Sequence, residues 1–235
     1  MSLTLYSGPL SLFTAKVRIA LDEKGLDYER IEVGWSLRDR YEPHHPDVVR
    51  LNPRKQVPVL VDGDVVVWDS TQILEYLEDR FPAPALYPRD VALRARCRRL
   101  EAVADELVFP HVWARIEEVF YPAPPGGRDP ERAAMAERAL RAHWAALDAE
   151  LGEREWLCDA FGVADIALGV FAFAASTLGV PIDERTPRLR AWSERLAARE
   201  AVAREQRATS EYVASLFAGG GAASATDGAA VPARA

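Results

Sequence analysis

The run NPRKQVPVLVDGDVVVWDSTQILEYLEDRF, residues 52–81, decides how this chain folds. Its middle holds two β-branched stretches, residues 57–61 and 65–68, on either side of Asp62-Gly63-Asp64. An Asp-Gly pair between strand formers predicts a tight hairpin, because glycine accepts the positive φ that a primed turn requires. The second strand stops at Asp69-Ser70, after which Ile73, Leu74 and Leu77 recur at helical spacing. Ser70 is therefore the expected N-cap. A helix start offers free N–H groups and a partial positive charge, which suit a carboxylate. Val57-Pro58 stands where the first strand begins, the place in a ladder where proline is tolerated. Only about 5–6% of X–Pro bonds in folded proteins are cis, so proline alone does not set the isomer.

Outward from this run the pattern is mixed. Residues 3–6 alternate as a short strand, broken by Ser7-Gly8-Pro9. A helix is predicted to begin near Phe13, because Phe13, Val17, Ala20 and Leu21 share one face, and Gly25 is a ready stop. Residues 28–33 read as a second strand, and residues 35–50, with two prolines and His44-His45, as loop or short irregular helix. The order is βαβ and then ββα, a small mixed sheet with helices on its faces. The proline-rich residues 81–90 end this pattern and mark a linker. Beyond it strand signals vanish, and helical periodicity runs through residues 91–120, 131–153, 163–178 and 187–204, then more weakly to Phe217. The expected organisation is an α/β domain over residues 1–82, a linker over 83–90, an all-α domain over 91–217 and a Gly/Ala-rich disordered tail over 218–235.

Composition narrows the function classes. A net charge of −7 argues against nucleic acid as a partner. Cys97 and Cys158 form no CxxC or His/Cys ligand spacing, so neither a disulfide framework nor a metal site is expected, and a reducing compartment follows. The start, MSLTLYSG, lacks a basic segment followed by an apolar run, and no signal peptide is read. The most apolar stretch, residues 166–180, falls short of the ~20 residues that span a bilayer, and a buried core helix is expected there.

Asn-Pro-x-Lys-x-Val-Pro, a strand pair, an acidic-Ser pair and a helix ending Tyr-Leu-Glu-x-Arg-Phe-Pro together resemble the glutathione-binding half of the glutathione transferase superfamily. The resemblance implies a thioredoxin-like N-terminal domain, glutathione as co-substrate, a homodimer and a cytoplasmic protein. It implies that Val57-Pro58 is cis and pairs its backbone with glutathione, that Asp69 and Ser70 hold the γ-glutamyl end, and that Lys55 or Gln56 meets the glycine carboxylate.

Ser11 is the candidate for thiol activation. As a plain N-cap it needs no ligand. A free thiol has a pKa near ~8.5, however, and a donating hydroxyl at a helix start would lower it. Ser11 precedes Val17 by six residues, a spacing similar to that of the activating serine in theta-, tau- and zeta-like transferases. Tyr6 is the competitor, at the strand end near which tyrosine-type relatives carry their phenol; as a strand aromatic it could equally be core. For a small hydrophobic electrophile the resemblance points to the loop after strand 1 and to the first long helices of the second domain. Leu10, Leu12, Phe109, Trp113, Phe120 and Tyr121 are the apolar candidates, with Tyr6 beside them. His44 and His45 carry only a secondary claim. In the second half, the family's hydroxyl three residues before an aspartate is replaced: Gly162 precedes Asp165. Only the aspartate's reciprocal bond to the Gly162 N–H is then expected. The implied activity is conjugation of glutathione to an electrophile. A zeta-like glutathione-dependent isomerase and a non-catalytic docking protein are the alternatives.

Overall fold

The computed structural model describes residues 3–218 and 231–232. Its elements run β1 (Leu3–Ser7), α1 (Leu12–Glu23), β2 (Tyr28–Glu32), α2 (Pro46–Leu51), β3 (Val59–Asp62), β4 (Val65–Trp68) and α3 (Ser70–Arg80). The helices α4 (Val91–Ala102), α5 (Phe109–Arg115), α6 (Pro130–Leu151), α7 (Val163–Thr177), α8 (Pro187–Ala197) and α9 (Glu200–Ala218) follow, and β5 (Val231–Pro232) is last. This is a thioredoxin-like α/β unit followed by helices, as the element pattern predicts.

The sheet order is β4-β3-β1-β2-β5. β1 and β2 are parallel, joined by α1, whereas β3 runs antiparallel to β1 and β4 antiparallel to β3. Gly63 takes φ of +60° in the β3–β4 turn, the conformation for which glycine was read there. Side chains on β1 alternate between the two sheet faces, as strand geometry dictates. Leu3 and Leu5 pack with Val17 and Leu21 of α1 and Ile73 and Leu77 of α3. Tyr6 belongs to a different cluster, with Val33, Val48 and Val59.

Two compact units emerge. Residues 1–84 group with 203–235, and residues 85–202 form the second unit. The expected all-helical stretch to residue 217 is thus divided, because α9 bonds back to α1: Glu205 pairs with Arg18 and Arg204 with Asp22. Within the first unit Lys24 donates to Glu78 and to the carbonyls of Phe81 and Pro84, which ties the end of α3 to the end of α1. The expected tail over 218–235 lies mostly outside the described residues. Of those described, Ala218 closes α9, and Val231–Pro232 pairs antiparallel with Glu29 and Arg30 of β2.

In the second unit, residues 103–108 and 116–120 are π-helical insertions on either side of α5, where one continuous helix was expected. Pro110 lies in the first turn of α5, and its missing N–H cannot join the preceding ladder. The apolar run read as a core helix is α7, nearly all of whose residues are buried. No helix among the described residues is long and apolar enough to cross a membrane.

The α7 start explains the departure at Gly162. A Cβ at this residue would stand 2.3 Å from the Leu86 carbonyl oxygen. The Val163 N–H donates to that same carbonyl at 3.0 Å, which holds the two backbones together. Any side chain at position 162 would have to part them. Asp165 supplies the reciprocal bond to the Gly162 N–H at 3.0 Å, as expected.

Candidate functional site

Strand register brings the candidate motifs together. Tyr6 of β1 faces Val59 of β3, and Val59 faces Trp68 of β4. β1 therefore ends, β3 begins and β4 ends at the same end of the sheet. The Ser7–Ser11 turn, Val57-Pro58 and Asp69-Ser70 all emerge there, although they are scattered over some sixty residues of chain.

The first of these is the start of α1. Ser11 is half-buried, and its Oγ accepts the Thr14 N–H at 3.2 Å, so it is the N-cap. An accepting hydroxyl keeps its own proton to donate. The first turn, Leu12-Phe13-Thr14, is uncharged, so nothing acidic opposes an anion at the helix start. Leu10 and Leu12 flank Ser11 and are half-buried.

The second is the loop before β3. Val57-Pro58 is cis. Asn52 organises the residues ahead of it: its side-chain amide donates to the Gln56 carbonyl at 2.7 Å and its Oδ1 accepts the Arg54 N–H at 2.9 Å. Lys55 takes a positive φ of 56°, and Lys55 and Gln56 are exposed, whereas Pro58 is buried. Asn52 is 2% exposed and does all of this from within. Sequence reasoning quoted Asn52 in the motif without giving it a role; an Asn-Pro pair ahead of a polar loop was the available signal.

The third is the start of α3, where one expectation changes. Asp69, not Ser70, is the N-cap: its Oδ1 accepts the Thr71 N–H at 3.0 Å, and Ser70 is the first helical residue. The cap sits at φ of +75°, a left-handed value that Asp adopts more readily than most residues. Ser70 is 3% exposed, while Asp69 remains half-exposed. Arg54 stands 3.6 Å from the second carboxylate oxygen of Asp69, a cation that the sequence reading passed over although it adjoins Lys55.

Tyr6 takes a different place. It is 7% exposed, in the cluster with Val33, Val48 and Val59. Its ring meets His45 edge-on at 5.5 Å. Burial first, and then the neighbouring Asp47 to which its hydroxyl bonds, raise its pKa above the usual phenol value. A phenol so placed is part of the core under α2. His45 caps α2 by accepting the Asp47 N–H, and His44 Nδ1 lies 2.9 Å from the Tyr41 carbonyl. Both histidines have structural partners.

In the second unit, Phe109 and Trp113 lie on α5, half-buried, with ring centroids 6.1 Å apart. Phe109 also meets Phe171, and Trp113 meets Tyr121, which packs in turn on Phe120.

The groups at the sheet end can meet both anionic and cationic parts of a ligand. Asp69 keeps acceptor capacity beyond its cap bond, the first-turn N–H groups of α3 face a carboxylate-friendly start, and exposed Lys55, Gln56 and Arg54 supply cationic or amide donors.

A thioredoxin-like unit built this way, followed by a helical one, defines a fold class, and comparison with known proteins identifies the family. A sequence model described as "Glutathione S-transferase, N-terminal domain" matches residues 10–80, and one described as "Glutathione S-transferase, C-terminal domain" matches residues 114–195. A stringent starvation protein A homolog of Coxiella burnetii is 34% identical over 186 residues, 78% of this chain and 80% of its own. Maleylacetoacetate isomerase of Pseudomonas aeruginosa is 35% identical over 204 residues, 84% of this chain and 92% of its own. A glutathione S-transferase of Methylobacterium radiotolerans, solved in complex with glutathione sulfonate, matches with a TM-score of 0.72 at 31% identity, covering 87% of this chain and 94% of that one. The chain belongs to the glutathione S-transferase family.

Proposed function

We propose that the protein binds glutathione at the sheet end and activates its thiol for attack on a small hydrophobic electrophile. The observation that carries this reading is the register Tyr6–Val59–Trp68, which gathers two helix starts and a cationic loop around one position. Asp69 takes the ammonium of the γ-glutamyl group, Ser70 and the α3 N–H groups take its carboxylate, the Val57-Pro58 backbone meets the peptide, and Lys55 or Gln56 takes the glycine carboxylate. Ser11 donates a hydrogen bond from its hydroxyl to the sulfur, and the α1 start favours the thiolate, so the thiol proton leaves to solvent at lower pH. Excess negative charge on sulfur is thereby stabilised before the electrophile arrives, which is the contribution a positioned donor makes. Leu10 and Leu12, which flank Ser11, are the electrophile contacts proposed within this unit. A homodimeric, cytoplasmic, detoxifying transferase is the corresponding cellular reading.

A second reading has its own support. Similarity to maleylacetoacetate isomerase over 92% of that protein favours an activity in which glutathione adds reversibly and is released after a double bond turns. A docking protein without catalysis, suggested by the stringent starvation relative, has no need of Lys55, Asp69 and Ser70. Capture on immobilised glutathione, then assays with a panel of electrophiles and with maleylacetoacetate, separates the three. Turnover that consumes glutathione supports conjugation, and turnover that conserves it supports isomerisation. Failure to bind glutathione would overturn both.

A further inference from the structure

The loop that carries Ser11 is held from an unexpected direction. Arg18, on the second turn of α1, is almost wholly buried, and its Nη1 donates to Ser7 Oγ at 2.7 Å and to the Gly8 carbonyl at 3.3 Å. The Gly8 carbonyl also accepts the Ser11 N–H at 3.2 Å. One oxygen therefore joins the guanidinium to the backbone of Ser11. The rest of the guanidinium faces α9: Nε donates to Glu205 Oε2 at 2.8 Å and Nη2 to Oε1 at 2.5 Å, a two-point pairing across 187 residues of sequence. Gly8 itself is pressed close to Tyr41, whose hydroxyl oxygen would lie 2.5 Å from a Cβ at that position. The loop is thus bounded on one side by an aromatic ring and fixed on the other by a planar donor.

We propose that Arg18 and Glu205 form a positioning pair for the Ser11 loop, so that the last helix sets the geometry of thiol activation without touching substrate. The proposal rests on Ser11 as the thiol donor. A guanidinium has donors in a rigid fork, and an oriented carboxylate fixes the plane of that fork. Glu205 orients Arg18, Arg18 orients the Gly8 carbonyl, and that carbonyl orients Ser11. Loss of any link widens the spread of Ser11 Oγ positions, and a hydroxyl displaced by part of an ångström stabilises the thiolate less well. The neighbouring pair on the same helix, Arg204 with Asp22 at 2.9 Å, is exposed at its arginine and serves as the control for α9 docking in general.

The test compares Glu205→Gln, Ser7→Ala, Arg204→Ala and Ser11→Ala in the full chain. Glu205→Gln keeps a hydrogen-bonding group beside Arg18, and Ser7→Ala removes one acceptor while leaving the ion pair intact, so both are chosen to fold. The readouts are the pKa of bound glutathione by ultraviolet absorbance of the thiolate, kcat and KM for glutathione, and the melting temperature. Glu205→Gln and Ser7→Ala are expected to raise the thiol pKa by about half a unit to one unit and to lower kcat several-fold, with KM within twofold of the parent. Arg204→Ala is expected to leave the pKa unchanged. In a Ser11→Ala background the effects of Glu205→Gln and Ser7→Ala on the pKa should disappear, since they act through Ser11. If Ser11→Ala raises the pKa but the other two change only the melting temperature, the pair is structural and the positioning role falls alone. A shift of equal size in Arg204→Ala would also overturn it, because α9 docking in general would then be the cause. If Ser11→Ala leaves the pKa unchanged, the donor assignment fails and the positioning role goes with it.

Discussion

Each unit has an aspartate at the start of a helix, and the two stand in opposite surroundings. Asp165, at the start of α7, is fully buried, and its two oxygens accept the Leu157 N–H at 3.0 Å, the Gly162 N–H at 3.0 Å and Trp192 Nε1 at 2.7 Å. Asp69, at the start of α3, is half-exposed, caps with one oxygen and, among the described residues, has Arg54 at 3.6 Å near the other. A carboxylate with every direction filled by protein donors holds a fold together. One with a direction left toward solvent can take a ligand. The contrast teaches that residue type and helix position do not separate a structural carboxylate from a binding one; the number of donors around it does.

The largest expected effect tests the structural half of this contrast. Asp165→Ala would strand a buried indole N–H and two buried backbone N–H groups, each unsatisfied donor costing about 1–3 kcal/mol and the three not adding fully. A loss of about 3–5 kcal/mol in urea unfolding is expected, with glutathione affinity unchanged in whatever fraction stays folded. A loss below about 1 kcal/mol would show that water or a neighbour replaces the carboxylate.

The reverse pattern is expected at α3. Asp69→Ala combined with Ser70→Ala should weaken glutathione binding at least tenfold in calorimetric titration, from a micromolar-to-millimolar parent value. The stability change should stay near ~1 kcal/mol, the usual worth of a lost N-cap. Unchanged affinity in the double variant would place the ligand elsewhere and end the comparison.

A pH experiment sharpens the contrast further. Burial pushes the Asp165 carboxyl from 3.8 up to about 6, against the lowering effect of its hydrogen-bond donors. A folded-state pKa above the unfolded one means the folded chain binds more protons between those values. Stability from this group is therefore full below about 3.8 and declines as pH rises through 6, by about 3 kcal/mol once complete. Asp165→Asn should flatten that part of the stability profile. A wild-type curve that shows no decline from this residue, judged against the Asn variant, would mean its donors fully offset burial.

The third helix start, that of α1, extends the comparison to the sulfur. Ser11→Ala should raise the pKa of bound glutathione by roughly one to two units, the equivalent of one charge-assisted hydrogen bond. Tyr6→Phe should leave it unchanged, because that hydroxyl is engaged with Asp47. The opposite outcome, with Tyr6→Phe losing the depressed pKa, would transfer the donor role to the phenol.

Much of this was legible in the chain because it depends on neighbours in sequence. The Asp62-Gly63 hairpin, the helix after Ser70 and the proline-rich break near residue 84 follow from turn geometry, capping and period, each settled within a few residues. Capping itself was read one residue late at α3, since Asp and Ser stand side by side and either can cap. The fate of the last helix was not legible. Its periodicity announces a helix but not the unit it joins, and that depended on Glu205 meeting Arg18.

Local rules therefore determined the order of strands and helices, the proline turn and the presence of polar residues at two helix starts. Tertiary structure decided what surrounds those residues. The parity of β1 puts Tyr6 and Leu5 on opposite faces but does not say what covers each, and the β1–β3 register and the α2 packing set Tyr6 among Val33, Val48 and Val59. Gly162 looked like a weakened cap until the Leu86 carbonyl was found where a Cβ would sit. Arg18 looked like one more charged position on an amphipathic helix until Glu205, Ser7 and Gly8 closed around it. In each case the deciding partner lies far away in sequence or on another strand, and the energy that selects the arrangement, desolvation of a buried polar group against the donors and acceptors that meet it, exists only once the chain has packed.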